Sequence, residues 1–279
     1  MMFIIIHMCF MTMKKHRVDY DYSEYLGKDY LKTQKLPKKA STIVANHQAW
    51  IDSLVLIYNV FPGFAATIET SKVPVLNVLI NSLQSIYISR GGTDQQRQEN
   101  LDEIVQRQKQ VEADPRYPPI CIYAEGTQTN GTSLLHFKKG AFAGLNTVQP
   151  VILKYKWNKL APSWEGMPFV AHSTFMVMFG KFHVDVHVLP PFKPNDHLYE
   201  THKDQGKEKW EIFAWATRDV MCKFGGFQKA TQSNSEKILY KNFMSGKTDE
   251  LTYAGKTWIA KPMHKKRAPR KESATKKTE

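Results

Sequence analysis

Ile43-Val44-Ala45-Asn46-His47-Gln48-Ala49-Trp50-Ile51-Asp52 changes character part-way along. Thr42 to Ala45 is a short β-prone run. Asn46 and His47 end it, and the spacing of Trp50, Ile51, Leu54, Val55 and Ile57 predicts a helix over about 50–60. A histidine therefore stands at a strand-to-helix turn with a carboxylate five residues on. On one continuous helix, positions i and i+5 do not face each other. His47 can meet Asp52 only from before the helix or from a bent first turn. In such a pair the carboxylate takes one ring nitrogen and fixes the tautomer, leaving the other to accept a proton from a substrate hydroxyl. The spacing recurs at His16 and Asp21, where no strand precedes it and the charged stretch reads as solvated surface.

Strand and helix patterns alternate beyond this turn. Strands are expected at about 64–68, 84–89, 120–123, 149–155 and 182–188, and helices at about 74–83, 93–111, 134–145 and 207–223. Alternation of this kind argues an α/β domain. Residues 164–180 carry Trp164, Phe169, Phe175, Met176, Met178 and Phe179, and read as a core helix or as a surface for an acyl chain or a membrane. The boundaries expected are an apolar membrane anchor with a basic flank at 1–17, a polar surface connection at 18–41, the α/β domain at 42–228, and a basic, mostly disordered tail at 229–279.

Charge and cysteine usage narrow the class. The chain has 279 residues and a net charge of +13, of which residues 229–279 contribute +8. Basic tails attract nucleic acid or anionic membranes. No interleaving of basic and aromatic residues forms a nucleic-acid module, so none is expected as a partner. The three cysteines, Cys9, Cys121 and Cys222, are scattered, which fits a reducing compartment and offers no metal pair. His183, Asp185 and His187 share one strand face and read as a solvated edge, so no metal is expected.

Three polar pieces end predicted strands: Asn46-His47, Arg90-Gly91-Gly92 and Glu125-Gly126-Thr127. They would line one rim, where open α/β sheets bind ligands. Arg90 offers a planar fork for a phosphate. Lys138 and Lys139 add anion attraction or form a solvated face.

With Val148-Gln149-Pro150-Val151 added, four blocks stand in order: Asn46-His47-x4-Asp52, Ile86 to Arg90, Tyr123 to Thr127, and Val148 to Val151. The chain resembles the glycerolipid acyltransferase family, over about residues 42 to 192. Within that family the run Glu125 to Phe142 is similar to the lysophosphatidylcholine acyltransferases. Ser89, Ala124 and Gln128 depart from the family pattern, and Gln128 replaces a frequent arginine. The resemblance implies a mixed, mainly parallel sheet flanked by helices. It implies His47 as general base, Asp52 as its partner, and Arg90, Glu125, Gly126 and Thr127 as binders of the acceptor's glycerophosphate part. Asn46 is counted with these substrate-binding residues.

The expected reaction is acyl transfer from acyl-CoA, a co-substrate, to a lysophospholipid such as lysophosphatidylcholine or lysophosphatidylethanolamine, with no bound cofactor. Lysophosphatidic acid or glycerol 3-phosphate is the alternative acceptor, and a non-catalytic lipid- or nucleic-acid-binding protein the alternative class. Lys276-Lys277-Thr278-Glu279 looks like a dilysine retrieval signal. Together with the apolar start, it makes the endoplasmic reticulum membrane, with the site on the cytosolic side, the expected location.

Overall fold

Helices that return the chain across a sheet leave its successive strands parallel, and that connection dominates here. The computed structural model describes residues 11–34, 37, 39–72, 74–89, 92–163, 169–232, 234–244, 246–253 and 255–259. Within them, one sheet contains β1 (Met11–Arg17), β2 (Thr42–Ala45), β3 (Gly63–Thr67), β4 (Ile86–Ile88) and β5 (Ile120–Ile122). A two-residue strand, β6 (Ser133–Leu134), lies outside it. The sheet is completed by β7 (Val148–Trp157) and β8 (Phe182–Val188), in the order β1-β8-β7-β2-β5-β3-β4. From β7 to β4 all neighbours are parallel. Only β8, antiparallel to β7, and β1, parallel to β8, run the other way. This is a mixed, mainly parallel sheet flanked by helices.

Parallel strands buried on both faces read as continuous apolar runs. Accordingly Ile43, Val44 and Ala45 of β2 are all buried. Val44, Val148 and Ile152 face one side with Phe213, Ala216 and Val220 of the helix Lys209–Gly225. Ile43, Ala45, Val151, Leu153 and Tyr155 face the other, with Val55 and Leu56 of the helix Asp52–Val60. The long helix Asp94–Ala113 begins at a capping box between Thr93 and Gln96. Its buried Gln108 donates to Thr42 Oγ1 at 2.9 Å and to the Ala141 carbonyl at 3.1 Å, which fixes it against β2.

Several expectations are corrected. Met11–Arg17, placed in a membrane anchor, is the outer strand of the sheet and pairs with β8 over its whole length. Residues 1–10, the apolar part of that anchor, lie outside the described residues. The stretch 18–41 is not a surface connection. Tyr22, Tyr25, Leu26 and Tyr30 are core residues, because a buried tyrosine is satisfied once its hydroxyl finds a partner. Tyr22 donates to the Pro190 carbonyl at 2.8 Å and Tyr25 to Asp219 at 2.5 Å. The helix expected at 134–145 is a single 3₁₀ turn, Lys139–Ala141, after the two residues of β6. The Lys138 N–H is tied to the Ala124 carbonyl at 2.8 Å, so the chain there is extended. Strand β8 is not an edge, since β1 covers it. His16, read with Asp21 as solvated surface, is half-buried there. Asp185 takes hydrogen bonds from His16 at 2.8 Å, His183 at 3.3 Å and Lys156 at 3.0 Å.

The chain divides into a unit ending at Asn234 and another beginning at Ser235. In the second, the region read as disordered holds most of a helix, Asn234–Met244. It also holds a hairpin of two antiparallel strands, Glu250–Tyr253 and Lys256–Ile259. Residues 260–279, with the dilysine, lie outside the described residues. Among the described residues, no helix is long and apolar enough to cross a membrane.

Candidate active site

The turn after β2 is built around a buried carboxylate. His47 lies in the irregular stretch after β2, Trp50 and Ile51 turn, and the helix starts at Asp52. Asp52 therefore curls back towards the residues before it. Its Oδ2 accepts from His47 Nδ1–H at 2.8 Å, from the Gln48 N–H at 2.6 Å and from the Ala49 N–H at 2.8 Å. Its Oδ1 accepts from the Tyr155 hydroxyl at 2.5 Å. A carboxylate out of water is tolerated when donors fill its lone pairs. The Asp52 side chain is 0% exposed and that of His47 is 17% exposed, so the imidazole is the only member of the pair that reaches the outside. With Nδ1 committed to Asp52, Nε2 is the nitrogen left to act on a ligand.

Two tyrosines complete this setting. Tyr123 lies flat on the imidazole, with ring centroids 3.8 Å apart and 12° between the planes. Its hydroxyl pairs with Ser53 Oγ at 3.1 Å. Burial, and then the charge of Asp52, push the Tyr155 phenol well above its ordinary range, so it remains a donor. Burial also raises Tyr123.

The loop after β5 grips the main chain of His47 from both sides. Glu125 Oε1 accepts from the His47 N–H at 3.3 Å, and the Thr129 N–H donates to the His47 carbonyl at 2.8 Å. Glu125 Oε2 accepts from the Leu135 N–H at 3.0 Å. Glu125 is fully buried, so its visible work is to hold the rim together. Asn46 is buried as well. Its amide donates to the Leu153 carbonyl at 3.1 Å and accepts from the Leu153 N–H at 2.8 Å. Both of its polar atoms are engaged with β7 rather than turned to the rim.

Gly126 sits at φ +70°, a region that favours glycine. A Cβ there would stand 2.6 Å from Lys138 Nζ, so the ammonium lies over this glycine. Thr127 is half-buried in the same loop. Arg90 lies outside the described residues. The end of β4 just before it is pinned by Asn100, which exchanges hydrogen bonds with the main chain of Ser89 at 2.9 and 3.1 Å. The ends of β2, β4 and β5 share one rim because these strands are parallel. Among the described residues, no group of three or more His, Cys, Asp or Glu is placed to hold a metal ion.

Sequence reading missed Tyr123, Thr129 and Tyr155. Tyr155 falls within the expected strand 149–155, yet nothing in its spacing from Asp52 marks the contact.

The acyltransferase family model matches residues 24–154, from the core helical turn at Tyr25 to the residue before Tyr155. A lysophospholipid acyltransferase of Arabidopsis thaliana is 28% identical over 75% of this chain and 51% of its own length. The lysophosphatidylcholine acyltransferase of Drosophila melanogaster is 31% identical over 71% of this chain and 35% of its own. Over residues 24–154 the chain is an acyltransferase-family domain. Human lysophosphatidylcholine acyltransferase 2 is 31% identical over 64% of the chain and 31% of its own length, so the chain spans about half of the first of these relatives and about a third of the other two. The crystal structure of the 1-acyl-sn-glycerophosphate acyltransferase of Thermotoga maritima covers 81% of the chain at 16% identity and a TM-score of 0.47. Tyr155 and β8 fall beyond the residues that the acyltransferase family model matches.

Proposed function

We propose that this chain transfers a fatty acyl group from acyl-CoA to the free glycerol hydroxyl of a lysophospholipid, with lysophosphatidylcholine or lysophosphatidylethanolamine as acceptor. The observation that carries this reading is the His47–Asp52 pair at a rim of parallel strands, in a chain whose relatives include lysophospholipid acyltransferases. His47 Nε2 takes the proton of the acceptor hydroxyl. The alkoxide oxygen attacks the thioester carbonyl, and the tetrahedral adduct collapses. The C–S bond breaks, and the leaving thiolate takes up the proton held by His47. No acyl-enzyme is required, because two substrates held in register react directly. Asp52 holds the tautomer and faces the positive charge that forms on the ring, and Tyr155 and two main-chain N–H groups hold Asp52.

A headgroup phosphate needs a cation. Lys138 lies over Gly126 in the loop that grips His47. We assign Lys138, with Arg90, to the acceptor phosphate, and Thr127 to a glycerol or phosphate oxygen. Gln128 supplies no charge at the place where the family pattern that the chain resembles often has arginine, which favours a phosphodiester over a phosphomonoester. Asn46 and Glu125 act by holding the turn. The reading places the reaction at the endoplasmic reticulum membrane, facing the cytosol. It is tested by acceptor-dependent release of free thiol from oleoyl-CoA, compared between the unaltered chain and His47→Ala.

A further inference from the structure

The helix Phe169–Phe179 has 11 residues and no charged side chain. A surface helix ordinarily buries its apolar stripe and shows water a polar one. Here His172 and Met176 are buried, while Val170 (74% exposed), Phe175 (42%), Met178 (60%) and Phe179 (56%) face outward. Thr174, on that same outward face, turns its hydroxyl back to the Val170 carbonyl at 2.9 Å and so offers its methyl. Contiguous exposed apolar surface of this kind marks a site of contact.

The position of the helix says what the contact is. Met176 packs in the same core as Leu153 and Tyr155 of β7 and Val55 of the helix that opens with Asp52. The helix therefore covers the sheet face that holds the His47–Asp52 pair. Its C-terminal end leads into Phe182, which pairs with Trp157. Trp157 is 45% exposed and lies two residues, about 7 Å of strand, beyond Tyr155. Lys156 and Lys159 flank Trp157 and Lys181 precedes Phe182, all three exposed. An apolar helix face edged by an aromatic ring and lysines has the chemistry of a bilayer interface with anionic headgroups. Eleven residues are too few to cross a bilayer, which takes about 20.

We infer that the outward face of Phe169–Phe179, with Trp157, Lys159 and Lys181, lies in the plane of an anionic phospholipid surface and brings the rim at His47 to its lipid acceptor. The inference rests on the acyltransferase reading for its purpose, but binding is measured without turnover. The full chain is sedimented with vesicles of phosphatidylcholine alone or with added phosphatidylserine. The variant F175S/M178S changes exposed side chains only. It is expected to bind both kinds of vesicle at least about 10-fold more weakly, with an unchanged circular dichroism spectrum. The variant K159Q/K181Q is expected to lose about fivefold per lysine on phosphatidylserine vesicles and little on phosphatidylcholine. Unchanged binding by both variants overturns the inference. So does self-association of the lipid-free chain in sedimentation velocity that F175S/M178S abolishes, since a second copy then covers the face. Binding that needs this face, in a chain that releases no thiol, upholds the docking surface and removes the acyltransferase reading. Thiol release with binding indifferent to both variants does the reverse.

Discussion

The Tyr155 hydroxyl donates to Asp52 Oδ1 at 2.5 Å, across 103 residues of chain. It links the middle of the sheet to the histidine turn. Tyr155→Phe keeps the ring and removes one of four donors to a buried carboxylate. A hydrogen bond to a charged group is worth about 1.5–3 kcal/mol. If about half of that is felt in the transition state, turnover falls on the order of 10-fold. Acceptor KM stays unchanged, since Tyr155 does not reach the rim. Steady-state kinetics of the purified variant check this.

Asn46 stands beside His47 but is bonded at both amide atoms to Leu153. Asn46→Ala leaves a buried N–H and a buried carbonyl without partners, at a cost of about 1–3 kcal/mol. Thermal unfolding is expected several degrees lower. A substrate contact at Asn46 would instead raise acceptor KM without moving the melting temperature.

Lys138 tests the phosphate assignment. Lys138→Met is expected to raise acceptor KM on the order of 10-fold, the scale of one lost charge-assisted contact, with little change in kcat. Lys138→Arg is expected to restore much of it. A fall in kcat alone would place Lys138 elsewhere in the reaction.

Acid weakens the β1–β8 end of the sheet. Burial first, then the neighbouring His16, hold the His187 imidazole below its ordinary range. Asp185 opposes that shift, and Lys154 and Lys156 reinforce it. His187 Nδ1 is buried with no hydrogen-bond partner among the described residues. With the folded value depressed, the unfolded chain takes up the proton first. Stability is therefore full above the unfolded value, about pH 6.5. It falls as pH drops below that, by at most about 1.4 kcal/mol per pH unit for one proton. Melting temperatures from pH 7 to pH 5 are expected to decline, and His187→Phe to flatten the decline.

What could be read from sequence was local. His47 and Asp52 lie in one turn, and Glu125 to Thr127 in one loop, so each group stands together in the sequence as a short block. Strand alternation located Phe182–Val188 to the residue, because every second side chain of β8 is buried. Tyr155 escaped notice because its partner is reached through the parallel pairing of β7 with β2, a long-range relation. The tyrosines of 18–41 looked polar, yet each of Tyr22 and Tyr25 buries its ring and satisfies its one hydroxyl. Residues 134–145 have helical spacing, but Phe137 and Phe142 both enter the core, their rings stacked at 6.0 Å, which a regular helix there does not provide.

The measurement that bears hardest on the account is release of free thiol from oleoyl-CoA. It is followed with lysophosphatidylcholine, lysophosphatidylethanolamine, lysophosphatidic acid and glycerol 3-phosphate in turn, for the unaltered chain and for His47→Ala. Release is expected with a lysophospholipid carrying a phosphodiester headgroup, and is expected to fall about 10²–10⁴-fold in His47→Ala while that variant still folds. Equal release by the folded His47→Ala variant would contradict the role given to the histidine. Release with lysophosphatidic acid or glycerol 3-phosphate alone would contradict the acceptor.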